Sequence, residues 1–562
     1  MPADLNLTTS SFTPGIVQGV RTPHRADGSN GRMNDAISAW KALLGNDRVI
    51  TEQAELHRRS ANAVGSDVVP IAILRPTESR QVQPLVEIAS RFRTPIYPTS
   101  TGRNWGYGAA SPVVSGCAVV DLSDLNTIHF VDEKHGLIRV EPGVTQGLLY
   151  NYLNARNLNW MVPVHGGGPD CSLLGNALER GYGLTPTTDH FLALTSLKAI
   201  LADGTIYESA FRSMEADVIA AAHRWQIGAY LDGIFSQGNF GVVTDATFIL
   251  KERPEHVEAF FIRIPDDNNL AEFVEHLGSI LRSLDGVVTG VNLMNERRVL
   301  SMSRPYPKGT VGSNSTIPDD LLKEYTSRAG ITRWTVAGVI HSVNGFARNT
   351  RREIRKRLPR SCSRPIFMNR KRIAMAKRAT SVLPVSRQSY RQQLASIDAF
   401  IDLAEGRPRR IALPLAYWLT GDEPAEKTAM DPAKDGCGLI WYSPLIPIDQ
   451  NVVDAYIKMV ESTCVEHGIE PLITLTSLSS CHFDSTVPIL FDRNDSSAVA
   501  RAHACYDSLC ERAKRLGCVP YRLPTITLAK RPNPLTDLPA TVLHNAIKDR
   551  LDPYNIISPS RY

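Results

Sequence analysis

The stretch "PTSTGRNWGYG", residues 98–108, places three glycines directly after a segment with the pattern of a helix end followed by a short strand. Gly102, Gly106 and Gly108 allow the backbone to turn with its N–H groups exposed, as in loops that bind phosphate. The same glycines suit a plain tight turn, because a glycine motif alone is weakly specific. The stretch therefore leaves two interpretations open, a phosphate-binding loop and a simple turn.

The composition is that of an ordinary globular protein. A length of 562 residues is long for one hydrophobic core and predicts two domains, with interleaving allowed. The 62 basic and 57 acidic residues give a net charge of +5, too small to indicate nucleic-acid binding. The chain shows no apolar run long enough for a membrane span and no signal-peptide pattern at its start. Nine scattered cysteines without a CxxC pair indicate free thiols, no structural metal and a cytoplasmic location.

Changes of pattern along the chain predict four segments. Residues 1–35 are polar and form an N-terminal arm, and residues 36–254 alternate short strands with helices. Residues 255–505 bring longer amphipathic helices and form a second α+β domain, and residues 506–562 form a C-terminal segment. The basic stretch at 348–378 is interpreted as a solvated helix and loop, so nucleic acid is not an expected partner.

Two further glycine clusters follow the first. They are "HGGGPDCSLLGNALERGYGLTP" at residues 165–186 and "LDGIFSQGNFGVVT" at residues 231–244. None of the three clusters is the single G-x-G-x-x-G of a Rossmann unit with an acid downstream, and no P-loop motif occurs. Separate glycine loops on a βα-rich domain favour a long ligand lying between them, with a diphosphate on one loop and rings near another.

Five motifs in a fixed order give a specific resemblance. They are the first loop, "LLGNALERGYGLTP", "DGIFSQGNFGVVT", "YRLPT" at 521–525 and "LDPYNIISPSR" at 551–561. Their order resembles the vanillyl-alcohol oxidase and p-cresol methylhydroxylase family from about residue 60 to the end. The resemblance implies an α+β protein with a two-part FAD-binding domain and an intervening α+β cap domain over the isoalloxazine. The C-terminal segment is then expected to complete the FAD site.

The resemblance also implies which residues hold the cofactor. The amides of the first loop are expected to bind the FAD pyrophosphate, with Gly106 allowing close approach, and the later clusters are expected to line the rest. The expected FAD-binding residues are Ser100, Thr101, Gly102, Arg103, Asn104, Gly106, Gly175, Asn176, Gly183, Gly238, Asn239 and Gly241. Glu179 and Arg180 are interpreted as an internal ion pair that holds the second cluster.

Tyr107, Tyr521 and Arg522 match the residues that hold the substrate oxygen as phenolate in the phenol-oxidising members. A phenol with a pKa near 10 is mostly neutral at pH 7, and a guanidinium with two O–H donors favours its anion. The anion pushes electrons towards the para position and eases loss of hydride from the benzylic carbon. Packing residues and a surface charge are the alternative interpretation of the same three side chains.

The chain departs from the family pattern at two functional positions. The position of the cap histidine that carries covalent FAD in some members holds Leu439, and Tyr417 is the candidate for the tyrosine link of the methylhydroxylase branch. Asp170 lies in the loop where one relative has its catalytic acid, although counting back from Gly175 puts that acid at Gly167. Asp170, His482 or water therefore remain candidates for the base.

The sequence thus predicts an FAD-dependent oxidoreductase that takes hydride from a small aromatic substrate, a para-substituted phenol of the alkylphenol or hydroxybenzyl alcohol type. Oxidation of a non-phenolic alcohol or hydroxy acid is the alternative within enzymes, and a flavin-binding protein with little turnover is the alternative of another class. Oxygen or an electron-transfer protein is the expected acceptor, and a homo-oligomer is expected.

Overall fold

The computed structural model describes residues 29–312, 315–381, 388–421, 430–530, 534–536 and 538–562. Most of the predicted N-terminal arm, residues 1–28, lies outside this range. Helix α1, Ser29–Leu44, begins before residue 35, so the last part of the predicted arm is helical instead. Its Trp40 is fully buried and donates a hydrogen bond to the carbonyl of Leu85, which fixes α1 on the first domain.

A four-stranded sheet opens the chain. Its order is β1-β2-β4-β3, and both β2 and β3 are parallel to β4. Apolar residues in helix α3 recur at the spacing of one helical face, and that face is buried. The elements are β1 Val49–Ile50, α2 Gln53–Arg59, β2 Ala72–Leu74, α3 Val82–Arg91, β3 Ile96–Thr99 and β4 Ala118–Asp121. The first glycine loop begins within β3.

A five-stranded antiparallel sheet of order β5-β6-β10-β8-β9 follows, and the short strands β7 and β11 pair beside it. Strands β8 and β9 form a hairpin that turns at Asp203-Gly204, and Lys198 pairs with Glu208 across it. The strands are β5 Ile128–Asp132, β6 Leu137–Val140, β7 Trp160–Met161, β8 Leu194–Leu201, β9 Ile206–Glu208, β10 Gly241–Ile249 and β11 Lys251–Glu252. The helices are α4 Gln146–Ala155, α5 Leu173–Leu178, α6 Ala210–Ser213 and α7 Asp217–Ala222.

The largest sheet has the order β15-β12-β14-β13-β18-β19-β17-β20, with β16 paired to β19. Its strands are β12 His256–Ile264, β13 Val288–Asn295, β14 Trp334–Ser342, β15 Ile366–Met368, β16 Cys437–Tyr442, β17 Pro444–Pro447, β18 Thr474–Ser477, β19 His482–Asp492 and β20 Val519–Pro520. The helices of this part are α8 Asp267–Ser283, α9 Glu296–Ser303, α10 Asp319–Ala329, α11 Ala347–Arg357, α12 Arg370–Ser381, α13 Gln388–Ala404, α14 Gln450–Glu466 and α15 Ser496–Lys514. Its core is one large apolar cluster between the sheet and α8, α14 and α15.

We propose that this sheet and its helices form the cap domain. Its first strand begins at His256, next to the predicted boundary at 255. The predicted end at residue 505 falls inside α15, and β20 pairs with β17, so we place the end of the cap near residue 520 instead. In the sequence, only local polar stretches separate the helices of this region. Such stretches do not show that α15 packs in the core of the cap.

The C-terminal segment returns to the first domain. It contains α16 Thr525–Leu528 and α17 Pro539–Leu551. Beyond α17, the amide of Ile96 donates to the carbonyl of Ile556, and the amide of Ser558 donates to the carbonyl of Ile96. The last residues thus extend the edge of the four-stranded sheet beside the first glycine loop. Within the described residues, no helix combines the length and the apolarity that crossing a bilayer requires.

The basic stretch at 348–378 is more integrated than the predicted solvated helix and loop. It contributes α11, β15 and the start of α12, and β15 is an edge strand of the cap sheet. Arg351 and Arg372 both donate to the carboxylate of Glu258, whose side chain is fully buried. Part of the positive charge therefore neutralises a buried acid, which a pattern of charges along the sequence does not reveal.

Candidate active site

A cavity of about 500 Å³ is lined by residues of the three glycine clusters, the cap sheet and the C-terminal segment. On the first domain it is bounded by the loop after β3 and by the start of α5. Strands β13 and β18 of the cap also line it, and Arg522 and Arg561 come from the C-terminal segment. Elements from distant parts of the chain thus enclose one space.

Most of the residues expected to hold FAD line this cavity. Gly102 has φ +65°, a backbone conformation that side chains with a Cβ rarely adopt, so glycine suits this turn. A Cβ on Gly175 would lie 2.3 Å from Oγ of Ser100, so a side chain there would push the two loops apart. The expected residues that line the cavity are Ser100, Thr101, Gly102, Arg103, Asn104, Gly175, Asn176, Gly183, Gly238 and Gly241. This glycine-lined passage fits a long dinucleotide.

Two expected cofactor residues do not line the cavity. A Cβ on Gly106 would lie 2.2 Å from Cδ1 of Trp441, so this glycine makes room for a cap tryptophan and not for phosphate. Trp441 itself lines the cavity. Asn239 is buried behind the wall, where its backbone carbonyl accepts a hydrogen bond from Nζ of Lys548. Both residues support the lining from behind.

Tyr417 also lies outside the cavity lining, although its neighbour Ala416 lines it. The Tyr417 hydroxyl donates to Oδ2 of Asp435 at 2.5 Å. Burial, and then the Asp435 carboxylate, raise the pKa of Tyr417, which disfavours a phenolate nucleophile. The position and hydrogen bond of Tyr417 therefore do not favour the expected covalent link, which stays a prediction. Leu439, which occupies the position of the family's histidine, does line the cavity.

Arg522 is held against the ring of Tyr107. Its Cζ lies 4.1 Å from the ring centroid, within the range of a cation–π contact. Its Nη2 donates to Oδ1 of Asn104 at 2.9 Å, and its Nε lies 3.3 Å from Oε2 of Glu179. Glu179 also pairs with Arg561, and although burial acts to raise its pKa, the two arginines outweigh burial and lower it. The site thus contains a preorganised guanidinium.

The expected ion pair between Glu179 and Arg180 is absent. Glu179 pairs instead with two arginines of the C-terminal segment. Arg180 has φ +54°, and its Nε donates to Oγ of Ser236 at 2.8 Å. Because the backbone turns at Arg180, the two adjacent side chains point to different partners.

Tyr521, the third expected phenol-binding residue, lies beside the cavity rather than in its lining. Burial, and then the charge of Asp484, raise the pKa of the Tyr521 hydroxyl, so this hydroxyl and the Asp484 carboxylate are electrostatic neighbours. The Tyr107 hydroxyl donates to Oγ of Ser443 at 2.9 Å. Burial, opposed by Arg522, raises the pKa of Tyr107 to about 12, so both tyrosines are neutral O–H donors at pH 7.

Asp484 is a buried carboxyl that the sequence interpretation missed. It lies on β19 behind Thr486, whose hydroxyl donates to its Oδ2 at 3.2 Å, and Thr486 in turn contacts the Tyr182 hydroxyl at 3.0 Å. Tyr182 and Thr486 both line the cavity. Burial raises the pKa of Asp484 to about 6. Asp484 shares a face of β19 with Thr486, whereas the apolar Phe483 and Val487 lie on the other face, so the alternation of the strand gives no signal for a buried carboxyl at this position.

The candidates for the base that the sequence favoured do not reach the cavity. Oδ2 of Asp170 is 2.5 Å from Nη2 of Arg410, and half of the Asp170 side chain is exposed. Nδ1 of His482 contacts Oγ of Ser479 at the start of β19. Gly167 and its neighbour His165 do line the cavity, and burial lowers the pKa of His165 to about 4, so this imidazole is neutral at pH 7. Asp484 is therefore the better-placed acceptor.

The cap contributes an unexpected cation. Arg298, on α9, lines the cavity together with Asn292 and Met294 of β13. Its Nη1 is 3.2 Å from Oγ of Ser301, and no described residue offers it a carboxylate. Burial lowers the pKa of Arg298 to about 10, which still leaves it charged at pH 7.

Comparison with known proteins agrees with this geometry. The model described as "FAD binding domain" matches residues 70–210. The chain is 30% identical to 1'-carboxy-chondrochloren decarboxylase of Chondromyces crocatus, over 94% of this chain and 96% of that protein. It is 25% identical to the 4-cresol dehydrogenase [hydroxylating] flavoprotein subunit of Pseudomonas putida, over 95% and 96%.

Two solved structures share the fold. A crystal structure of p-cresol methylhydroxylase with substrate bound has a TM-score of 0.82 and 24% identity, and covers 94% of this chain and 96% of its own. 4-Ethylphenol oxidase from Gulosibacter chungangensis also has a TM-score of 0.82, with 20% identity and coverage of 96% and 98%. The fold, the glycine-lined cavity and the relatives along almost the whole chain agree: the chain belongs to the vanillyl-alcohol oxidase and p-cresol methylhydroxylase family, and it is an FAD-dependent oxidoreductase.

Proposed function

We propose that the chain oxidises a para-substituted phenol at the carbon attached to the ring, and that it binds the phenol as phenolate. The single observation that carries this proposal is the environment of Arg522. Its Nη1 makes no hydrogen bond to any residue that the structure describes, although Nε and Nη2 are both engaged. A fixed guanidinium with a free donor at the cavity suits an anionic oxygen.

Tyr107 and Tyr521 complete the proposed oxygen site. Both hydroxyls are neutral at pH 7, so each offers one O–H donor. To bind the ligand, the Tyr107 hydroxyl exchanges its hydrogen bond to Ser443 for one to the phenolate oxygen. A phenolate that accepts bonds from Arg522 and two tyrosines is stabilised relative to the neutral phenol, which lowers the pKa of the bound substrate.

The phenol proton needs an acceptor, and we assign that role to Asp484. Thr486 and Tyr182 connect this carboxyl to the cavity by hydrogen bonds, so a proton can pass along hydroxyl groups without direct contact. A pKa of about 6 makes Asp484 an anion at pH 7 and a stronger base than an exposed aspartate. Asp484 acts through the hydroxyls in this assignment, as a proton acceptor behind the wall.

The loops around Ser100–Asn104, Gly175 and Gly238 would hold FAD, whose flavin accepts hydride. The chain's own contribution is to orient the phenolate, to keep it ionised and to exclude water. With the negative charge at the ring oxygen, electron density at the para position favours departure of hydride from the attached carbon. The electrophilic product of that step can add water, or can lose CO₂ where the side chain carries a suitable carboxylate.

The addition of water and the loss of CO₂ correspond to the names of the two relatives, which are a hydroxylating dehydrogenase and a decarboxylase. We propose that this chain shares the oxidation step, and that oxygen or an electron-transfer protein then receives the electrons.

Anaerobic mixing of the holoenzyme with free phenols and with their methyl ethers tests the proposal. We expect 4-alkylphenols to bleach the flavin absorbance. Their methyl ethers cannot ionise and so lose a charge-assisted hydrogen bond to the site, and we expect them to bleach the flavin at least about tenfold more slowly. Equal rates for phenols and ethers would contradict phenolate binding and would favour oxidation of a plain alcohol or hydroxy acid.

A further inference from the structure

We propose that the substrate is a phenol whose para side chain ends in a carboxylate, and that Arg298 of the cap binds this carboxylate. The proposal rests on the proposed function, because it identifies the substrate of the same cavity. It is carried by the position of Arg298 and by its lack of a counter-charge.

Four arginines line the cavity, and three of them are paired with carboxylates of the chain. The partners are Asp431 for Arg103, and Glu179 for both Arg522 and Arg561. Arg298 differs, since its side chain bonds only to the Ser301 hydroxyl within the part of the chain that the structure describes. The guanidinium of Arg298 is therefore available to a ligand anion.

The neighbouring Arg297 provides a comparison, because its guanidinium is paired with two carboxylates of the chain. Nη1 of Arg297 is 2.8 Å from Oε2 of Glu470, and its Nη2 is 3.2 Å from Oδ1 of Asp319. Burying a charge without a partner costs stability, and this cost lowers the pKa of Arg298 to about 10. The absence of a counter-charge at Arg298, on the wall of the cavity, therefore indicates a functional role for this arginine.

The register of the cap sheet places Asp484 and Asn292 on one face of the sheet. Asp484 of β19 pairs with Thr476 of β18, and Thr476 pairs with Asn292 of β13, so the three side chains share that face. Two strand spacings separate Asp484 from Asn292 by roughly 10 Å. Arg298 follows on α9, which begins directly after β13, and it lines the cavity together with Asn292.

The cavity lining suits a phenol with a para side chain. Apolar side chains of the cap contribute to it, and they can contact an aromatic ring and an alkyl chain. The apolar residues are Met294, Met302, Phe400 and Leu413.

The test compares 4-hydroxyphenylpropanoate with its uncharged amide in the holoenzyme, with binding taken from the concentration dependence of flavin reduction in anaerobic mixing. We expect the wild type to bind the carboxylate more tightly than the amide. Arg298→Met should weaken binding of the carboxylate by about 10- to 100-fold, the value of one charge-assisted hydrogen bond, and should leave the amide unchanged. Arg298→Lys should restore part of the loss, because it keeps the charge without the planar fork.

Two further measurements separate this role from others. Arg348→Met removes an exposed cap arginine and should leave both affinities unchanged, which excludes general electrostatic attraction. Arg298→Met should have a melting temperature no lower than the wild type, because the unpaired charge is removed. Equal losses for carboxylate and amide, a loss of FAD, or a lower melting temperature would overturn the proposal and indicate a cofactor or structural role.

Failure of this proposal is distinguishable from failure of the proposed function. If 4-propylphenol bleaches the flavin faster than its methyl ether, and the carboxylate gains nothing over the amide, phenolate oxidation stands and the role of Arg298 is wrong. If phenols and ethers react alike, the proposed function fails, whatever the affinities show.

Discussion

The Cζ atom of Arg522 lies 4.1 Å from the centroid of the Tyr107 ring, although these residues come from opposite ends of the chain. Tyr107 follows the first glycine loop, and Arg522 lies just after the last cap strand. Glu179, from the second glycine cluster, pairs with Arg522 and so connects all three segments. The proposed oxygen site and the glycine-lined cavity therefore share one charged cluster.

The first prediction concerns the loop at Gly102. Gly102→Val adds a β-branched side chain at positive φ in the cavity lining, and we expect loss of FAD with the fold retained. Gly116→Val is the matched control, because Gly116 also has positive φ but has open space around its Cβ position. Each variant bears strain of about 1–3 kcal/mol. The ratio of flavin to protein absorbance measures the result, and equal occupancy in both variants would mean that the loop is only a turn.

The second prediction concerns Asp484 and pH. A base must be deprotonated, and the Asp484 pKa of about 6 means that the anion forms as pH rises through 6. Flavin reduction by a phenol should therefore accelerate across that range. Asp484→Asn should remove this step and slow reduction about 100-fold or more.

Asp170→Asn is the control for the second prediction. It removes a carboxyl that pairs with Arg410 at the surface, so the pH profile and the rate should stay as in the wild type. A loss of activity in Asp170→Asn with full activity in Asp484→Asn would reverse the assignment.

The third prediction concerns covalent attachment. Because the Tyr417 hydroxyl is bonded to Asp435 outside the cavity lining, acid precipitation should release FAD from the wild type and from Tyr417→Phe alike. A yellow pellet from the wild type and a colourless one from Tyr417→Phe would show that a tyrosyl link does form.

The fourth prediction concerns Glu179. Glu179→Gln leaves Arg522 and Arg561 without their shared counter-charge, and breaking such a buried network costs about 3–5 kcal/mol of unfolding free energy. Denaturant unfolding of the holoenzyme measures it. Glu511→Gln, at an exposed carboxylate that pairs with Arg515, should change stability little. Similar midpoints for the two variants would contradict the structural role of Glu179.

The sequence was sufficient for the fold and for recognising the glycine loops that line the cavity, because ordered glycine motifs and helical spacing are local signals. It was not sufficient for contacts between distant segments. Gly106 looked like a phosphate glycine, but its small size serves Trp441, far along the chain. Asp484 and Arg298 could not be recognised, because burial and a missing partner are properties of the folded chain.

The ionisation of a bound phenol tests phenolate binding most directly. In contrast to an alkylphenol, 4-hydroxybenzaldehyde does not lose hydride by the proposed route. Its phenolate absorbs at longer wavelength than its neutral form. Titration of its complex with the oxidised holoenzyme should show a ligand pKa lowered by about 1–2 units, equivalent to a charge-assisted hydrogen bond of roughly 1.5–3 kcal/mol. In Arg522→Met the pKa should return towards that of the free ligand. A bound ligand that stays neutral at the pH where the free ligand ionises, or an unchanged pKa in Arg522→Met, would contradict phenolate binding by Arg522.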